Sequence, residues 1–150
     1  MRTLAGVAVA TALVAGLAGA GPVAPTDVVF EEGAVTVSLT GQAGDPVRGK
    51  EWFVGRKLGN CLACHVNSDA TNQSFHGEVG PPLDGVGDRW TEAELRGIVA
   101  NSKMMFEGTI MPAFYKDTGY TRPHKDFEGK TILDAQQVED IVAYLLTLKE

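Results

Sequence analysis

Apolar side chains recur at the spacing of an α-helix in two stretches of the chain, and capping signals mark a third stretch, which comes first. The first stretch runs from Pro46 to about Leu58. Asp45 is a suitable N-cap, and Pro46 suits the first helical position because its missing N–H would have no partner there. Gly59 is typical of a helix stop. We therefore predict a helix from Pro46 to about Leu58.

The other two stretches carry capping signals at their N-terminal ends. Thr91 and Glu94 have the spacing of a capping box, and Asp134 is followed at the same spacing by Gln137. The apolar faces that follow are Leu95, Ile98 and Val99 in the second helix, and Val138, Ile141, Val142, Leu145 and Leu148 in the last. Glycines and prolines fill the segments between them. The pattern predicts an all-α domain with long loops.

A different pattern precedes the first helix. Apolar and polar residues alternate through Val35, Thr36, Val37, Ser38, Leu39 and Thr40. A period of two is typical of a β-strand. Because a lone strand is not stable in water, we expect it to pack on the domain or on a partner chain.

The first residues are typical of a secretory signal peptide. A basic Arg2 precedes an uncharged run from Leu4 to Ala20, which ends on the small residues Ala18-Gly19-Ala20. The run is short and weakly apolar for a membrane span. We expect residues 1–20 to be a signal peptide, 21–44 an extended arm and 45–150 the helical domain. The mature protein is then periplasmic and has no membrane span.

Composition limits the classes of function. The chain has 150 residues, 44% of them hydrophobic, and a formal net charge of −6. Its acidity argues against nucleic-acid binding, which needs a cationic face. Two cysteines exclude a disulfide-rich scaffold, and the apolar content is enough for a folded core.

Those two cysteines carry the main chemical signal. Cys61-Leu62-Ala63-Cys64-His65 is a C-x-x-C-H motif, which attaches c-type haem. Two thiols on one turn can add to the two vinyl groups of one porphyrin, and the next residue places an imidazole at the iron. We therefore predict one covalent haem c, with Cys61 and Cys64 as thioethers and His65 as the proximal ligand.

Other uses of this motif fit less well. A thioredoxin-like dithiol needs a strand–helix–strand context, and none surrounds the motif. A zinc site needs further cysteine or histidine ligands at finger spacing, and the sequence contains no second pair.

The second axial ligand, on the other face of the iron, has several candidates: Met111, Met104, Met105, His76 and His124. Met111 lies in a loop and is followed by Pro112, so we predict it as the distal ligand, with His76 next. Met104 and Met105 end the apolar second helix and suit core packing. His124 stands among charges and suits the surface. A His–Met pair leaves no open position, which favours electron transfer over substrate chemistry.

Neighbouring residues suggest how the haem is held. Backbone carbonyls of Gly80-Pro81-Pro82-Leu83 could accept the ring N–H of His65 and fix its tautomer. Tyr144 could pack on Gly49 and Phe53, because glycine permits close helix approach. Candidate partners for the propionates are Arg48, Arg56, Lys57 and Arg89.

The order of these features resembles the class I cytochrome c fold. The segments 59–65, 75–86, 88–90 and 111–115 together resemble the SoxX family, the monohaem subunit of the SoxAX cytochrome of bacterial sulfur oxidation. The likeness covers roughly residues 49–148. Its haem motif and methionine loop are common to many cytochromes c, and Phe75 to Trp90 is the more specific part.

The resemblance implies an all-α, class I cytochrome c domain and an electron-transfer role. It implies a heterodimer with a SoxA-like haem subunit, at which thiosulfate is joined to a cysteine of the carrier SoxYZ. The SoxX haem passes the electrons to a soluble cytochrome. Cys61 and Cys64 are then the thioether residues, and His65 and Met111 the axial ligands.

Three functions remain to be separated. The first is this electron-transfer subunit, non-catalytic itself, within an L-cysteine S-thiosulfotransferase complex of SoxAX type. The second is a free-standing periplasmic electron shuttle. The third is a haem enzyme or gas sensor with an exchangeable sixth position.

Overall fold

The computed structural model describes residues 21–150, and the predicted signal peptide lies outside them. Four α-helices form the frame: α1 Pro46–Val54, α2 Val86–Arg89, α3 Glu92–Asn101 and α4 Ala135–Leu145. Short 3₁₀ turns cover Pro25–Asp27, Cys61–Ala63, Ser68–Ala70, Ser102–Met104 and Lys125–Phe127. The described residues contain no strand, and their only β-bridge joins Glu31 to Ala34. The predicted all-α class with long loops is confirmed.

Helix α1 begins as predicted and ends early. The side chain of Asp45 accepts hydrogen bonds from the N–H groups of Val47 and Arg48, as an N-cap should. The helix stops at Val54 rather than near Leu58, because the chain turns into extended backbone at Gly55. The predicted stop at Gly59 is therefore wrong.

The capping signals of α3 and α4 are confirmed. Thr91 and Glu94 form a reciprocal capping box, and Asp134 and Gln137 form another. Helix α2 was not predicted from the sequence, since a single turn leaves no periodic signal.

Helices α1 and α4 pack at very short range through a glycine. A Cβ on Gly49 would lie 1.9 Å from the carbonyl oxygen of Asp140 and 2.8 Å from Cβ of Tyr144. The rings of Phe53 and Tyr144 meet edge to face, with centroids 5.3 Å apart. The predicted packing of Tyr144 on Gly49 and Phe53 is confirmed. This contact joins the two ends of the domain.

The segment from Val35 to Thr40 is not the predicted strand. Val35 and Leu39 are buried, whereas Val37 is 66% exposed, so the three do not share one buried face. The N–H of Val35 donates to the carbonyl of Ala93, at the start of α3, and the carbonyl of Leu39 accepts from Val23. The arm therefore satisfies its backbone on the domain and on itself, one of the two placements that we expected.

A buried ion pair fastens this arm to the helices. Arg96 of α3 and Glu139 of α4 are almost fully buried and meet at 2.9 Å. The carboxylate of Glu139 also accepts from the N–H of Leu39, and the guanidinium of Arg96 donates to the carbonyl of Val35. The pair thus joins three segments, and its buried charged groups have hydrogen-bond partners, as a stable buried ion pair requires.

The main core lies between the arm, α1, α3 and α4. Its most buried large side chains are Phe53, Leu39, Leu95, Leu133, Ile141, Val138 and Val142. Within residues 21–150, none of the helices has the length and apolar character needed to cross a bilayer.

Candidate functional site

The C-x-x-C-H residues form one tight turn between α1 and a long loop. Asn60 enters the turn with a left-handed backbone, at φ 48°. The N–H groups of Cys64 and His65 both donate to the carbonyl of Cys61, at 3.1 and 3.0 Å. Both thiols are free and belong to this single turn. The turn therefore holds two thiols and an imidazole next to one another.

The Cys61 thiol is poorly suited to redox or nucleophilic work in the haem-free chain. Burial raises its pKa to about 12. A thiol that stays protonated is a weak nucleophile. This property argues against a thioredoxin-like dithiol, as the sequence context did.

The ring of His65 is held by the loop that follows it. Its Nδ1 lies 2.8 Å from the carbonyl oxygen of Pro81. As donor to that carbonyl, Nδ1 carries the proton, so Nε2 is the nitrogen available to a metal. The predicted carbonyl partner is thus present, and the accepting residue is Pro81.

Gly80 allows this loop to lie flat against the imidazole. A Cβ at Gly80 would be 2.3 Å from Cε1 of His65, which no side chain could tolerate. The N–H of Gly80 donates to the carbonyl of Cys64 at 2.7 Å. Gly77 makes a similar close approach, with a hypothetical Cβ 2.0 Å from the carbonyl oxygen of Ala63.

The segment after His65 is tied to helix α4 by a buried asparagine. Asn67 is fully buried and donates to the hydroxyl of Tyr144 at 2.9 Å. That hydroxyl donates in turn to Asp69 at 2.7 Å, and Lys50 pairs with Asp69. Sequence reasoning missed Asn67, because nothing in the local pattern marks an asparagine in a loop as buried.

His76 is engaged inside the same loop. Its Nδ1 accepts from the N–H of Asn67 at 3.3 Å, and its Nε2 faces the carbonyl of Ala70 at 3.2 Å. A neutral ring with the proton on Nε2 satisfies both contacts. Ligation of a metal by His76 would break one of them.

The Met111 loop is fastened to the end of α3. The carbonyl of Met111 accepts from the Ser102 hydroxyl at 3.1 Å and from the Lys103 ammonium at 2.7 Å. Its N–H donates to Oγ1 of Thr109 at 3.2 Å. The Met111 side chain is partly buried. Ser102 and Lys103 were not predicted from the sequence, because their partner is a backbone carbonyl.

The remaining candidate ligands belong to other segments of the chain. Met104 is 51% exposed in a 3₁₀ turn, so its expected place in the core is wrong. Met105 is partly buried and packs on Gly33 of the arm. His124 is exposed and caps a short 3₁₀ turn, which agrees with its predicted surface position.

Two of the four candidate propionate partners are used elsewhere. Arg48 pairs with Asp140 at 3.0 Å and with Asp45 at 3.3 Å. Arg89 donates to the carbonyls of Pro82 and Asp84. Arg56 and Lys57 are exposed.

Two cavities in the described part of the chain can be compared with this site. One of about 280 Å³ abuts the haem-motif turn at Leu62 and Ala63, and Phe75 and Arg56 complete its wall. A larger one, of about 810 Å³, lies between the arm and the start of α4, and its lining contains none of the candidate ligands. Size therefore does not indicate the functional site here, and the chemistry of the side chains does.

The comparisons with known proteins can now be set beside this geometry. The model of the cytochrome c family matches residues 46–149, so the chain belongs to the cytochrome c family. A solved chain of the "Crystal structure of SoxXA from P. pantotrophus" is 55% identical, with a TM-score of 0.81. The match covers 86% of this chain and 99% of that chain. The protein is accordingly a cytochrome c of the SoxX type. A search of curated proteins finds no match to this chain.

Family membership implies a covalently attached haem c, and the residues present fit such a group. The two thiols share one turn, and the Nδ1 contact of His65 leaves Nε2 for iron. Trp52, whose carbonyl lies against Gly59 just before the motif, has a buried indole N–H without a partner among the described residues. An acceptor brought by a bound group would satisfy it.

Proposed function

We propose that Cys61 and Cys64 form the two thioethers to haem c, and that His65 and Met111 are the axial iron ligands. When bound, the haem supplies a centre that gains and loses one electron. Cys61 and Cys64 tether it to one turn. His65 presents Nε2 because Pro81 holds Nδ1, and the hydrogen bonds of Ser102 and Lys103 hold the Met111 backbone in place.

The choice of Met111 over His76 is supported by the contacts that each side chain already makes. Both ring nitrogens of His76 are engaged by its own loop. The hydrogen bonds of Met111 are made by its backbone, and its partly buried thioether has apolar contacts that leave the sulfur without a polar partner among the described residues. Methionine ligation with histidine raises the reduction potential relative to two histidines.

The function that these sites support is that of the electron-transfer haem subunit of a SoxAX-type complex. The observation that carries it is the C-x-x-C-H turn on a cytochrome c fold that matches the SoxXA chain over 99% of its length. Electrons would come from a SoxA-like haem subunit as thiosulfate is joined to a cysteine of SoxYZ. They would pass to a soluble cytochrome.

This chain conducts electrons in that scheme and does no sulfur chemistry. Its two cysteines are both committed to thioethers, so no thiol is left to carry a persulfide. It is therefore a non-catalytic subunit of an L-cysteine S-thiosulfotransferase complex. We place it in the periplasm, with residues 1–20 removed as a signal peptide, 21–44 as the arm and 45–150 as the cytochrome domain.

Replacing Met111 tests the ligand assignment. We expect the oxidised holoprotein of Met111→Ala to lose the far-red charge-transfer band of methionine–iron ligation and to bind cyanide or carbon monoxide. The matched control is Met104→Ala, since Met104 is half exposed and has no assigned role at the iron. An unchanged band in Met111→Ala, or its loss in Met104→Ala, would overturn the assignment.

Purification from a native extract tests the complex. We expect the tagged, haem-loaded chain to co-elute with a larger haem protein that carries a second c-type haem motif. Recovery of a monomer alone at low ionic strength would favour the free-standing shuttle, whose docking is transient. Cyanide binding by the wild-type protein at neutral pH would instead favour an exchangeable sixth position.

A further inference from the structure

The larger cavity, between the arm and the start of α4, is lined by a carboxylate that lacks a donor. Asp117 belongs to this lining, and its Oδ1 is buried without a hydrogen-bond partner among residues 21–150. A buried carboxylate oxygen without a donor is costly, so its position calls for an explanation. A cation at the cavity wall would compensate the charge of the carboxylate.

The other charged groups that line the cavity are Asp134 and Lys130. The Asp134 carboxylate is engaged, because it caps α4 and accepts from the N–H of Gln137 at 2.8 Å. Lys130 is exposed, and the ion pairs found within residues 21–150 do not include it. Two carboxylates thus face one solvated ammonium, and the cavity attracts a further positive charge.

Both carboxylates act on a tyrosine that holds the arm. Burial raises the pKa of Tyr115, and the charges of Asp134 and Asp117 raise it further. The Tyr115 hydroxyl donates to the carbonyl of Val23 at 2.7 Å. The negative charge of the cavity is therefore felt where the arm begins.

The first residues of the arm lie at the same cavity, and Pro22 is part of its lining. Val23 is fixed at both backbone groups, since its N–H donates to the carbonyl of Leu39 and its carbonyl accepts from Tyr115. The nitrogen of Gly21 is two residues away, within about 7 Å of this fixed point even in extended chain. No atom lies within 4 Å of a Cβ built on Gly21, so this residue can turn without a clash.

Removal of the predicted signal peptide supplies a cation at this place. Hydrolysis of the peptide bond between Ala20 and Gly21 consumes one water, and it leaves a carboxylate on the released peptide and an ammonium on Gly21. Before the cut, the same nitrogen is a neutral amide. The match with the solved SoxXA chain covers 86% of this chain. That share is close to what remains without residues 1–20, which supports a cut at this position.

We propose that the carboxylate of Asp117 binds the α-ammonium of Gly21 that forms when the signal peptide is removed, so that maturation itself completes the attachment of the arm. The proposal rests on residues 1–20 being a signal peptide and does not depend on the haem ligands. The pair joins the first residue of the arm to the loop that follows Met111. The ion pair of Arg96 with Glu139 holds the arm further along, at Val35 and Leu39.

The first experiment measures how fast the N-terminal amine reacts. Exported, haem-loaded protein is treated with acetic anhydride at pH 7, and the N-terminal peptide is quantified by mass spectrometry against the exposed Lys57. A nearby carboxylate keeps an ammonium protonated, and only the free amine reacts, so we expect acetylation of Gly21 to be about tenfold slower in the wild type than in Asp117→Asn. The control Asp27→Asn, which changes an exposed acid of the arm outside the cavity lining, should match the wild type.

The second experiment moves the ammonium while it keeps the carboxylate. Two serines inserted between Ala20 and Gly21 leave the cut after Ala20 and place the ammonium two residues further out. In the ordinary mature chain, we expect Asp117→Asn to raise the unfolding equilibrium constant in urea about fivefold, the scale of a partly exposed pair. In the extended chain, Asp117→Asn should leave that constant unchanged. An equal effect in both chains would overturn the proposal.

Lys130→Gln tests the competing cation. We expect it to change neither the acetylation rate of Gly21 nor the effect of Asp117→Asn on unfolding. If Asp117→Asn has no effect once Lys130 is replaced, Lys130 is the partner of Asp117 and the proposal is wrong.

The intact mass of the exported protein separates the two ways in which the proposal can fail. A chain that begins elsewhere than Gly21 would refute the predicted cut, and the pair with it. A chain that begins at Gly21 but is acetylated at the same rate in the wild type and in Asp117→Asn would refute only the role of Asp117. The haem assignment is tested apart from both, by the optical spectrum of the same samples.

Discussion

At the scale of single residues, Asn67 is a polar residue near the haem motif whose partner lies far along the chain. Asn67 is two residues from His65, and its amide is satisfied by Tyr144, 77 positions away. Burial raises the pKa of Tyr144, and the hydrogen bond to Asp69 raises it further. The hydroxyl therefore stays protonated and keeps both bonds at physiological pH.

Tyr144→Phe should destabilise the fold by about 1–3 kcal/mol, because it leaves the buried Asn67 amide without its acceptor. The measurement is urea unfolding of the haem-loaded protein. Tyr120→Phe is the control, since its hydroxyl donates to the carbonyl of Ala113 from a ring that is 41% exposed. Equal losses in the two variants would contradict the role assigned to Asn67.

At the scale of elements, the contact of α1 with α4 depends on Asp140. Its buried carboxylate accepts from the N–H of Asp45, from Arg48 and from Gln136. Burial acts to raise the pKa of Asp140, but the hydrogen bonds from Arg48 and Gln136 outweigh it and leave the pKa below its ordinary value.

A lowered pKa makes the contribution of Asp140 dependent on pH. Its stabilisation is present above the pKa of the unfolded chain and is lost as the pH falls through the folded-state pKa. We expect Asp140→Asn to be less stable than the wild type near neutrality. Between about pH 5 and pH 2, its free energy of unfolding should fall less steeply. Chemical unfolding at a series of pH values measures this, and the exposed Asp27→Asn should keep the wild-type slope. Identical slopes in all three proteins would contradict the prediction.

At the scale of the whole molecule, the pair of Arg96 with Glu139 joins the arm to two helices. The pair is buried, whereas the second partner of Arg96, Glu92, has a side chain that is 60% exposed. Breaking a buried pair leaves an uncompensated charge, which costs about 3–5 kcal/mol, but an exposed pair is worth only about 0–1 kcal/mol.

Glu139→Gln should therefore lower the free energy of unfolding far more than Glu92→Gln. The same variant should expose the arm around Val37 to protease. An amide then replaces the carboxylate that accepts from the N–H of Leu39, so this hydrogen bond is weaker. Urea unfolding and limited proteolysis of the haem-loaded protein check both statements. A protected arm in Glu139→Gln would show that apolar packing of Val35 and Leu39 is sufficient.

Sequence reasoning succeeded where the interacting residues are close in the sequence and failed where they are far apart. Capping boxes at Thr91 and Asp134 depend on residues three positions apart, so their signals are local and both were confirmed. The predicted strand at Val35 to Thr40 was wrong for the opposite reason. Its alternation is real, but the partners of its backbone are a helix terminus and a side chain on α4, which no local pattern describes.

By itself, the sequence determined the helical class, the haem-motif turn and the carbonyl loop, because each depends on residue types at fixed short spacing. Tertiary structure alone decided that the arm lies on the domain and that Asn67 is buried. It also decided that Arg89 donates to the carbonyls of Pro82 and Asp84. Several of these contacts are hydrogen bonds between a side chain and a backbone group. Every residue offers the same backbone groups, so only the folded chain determines which of them a side chain meets.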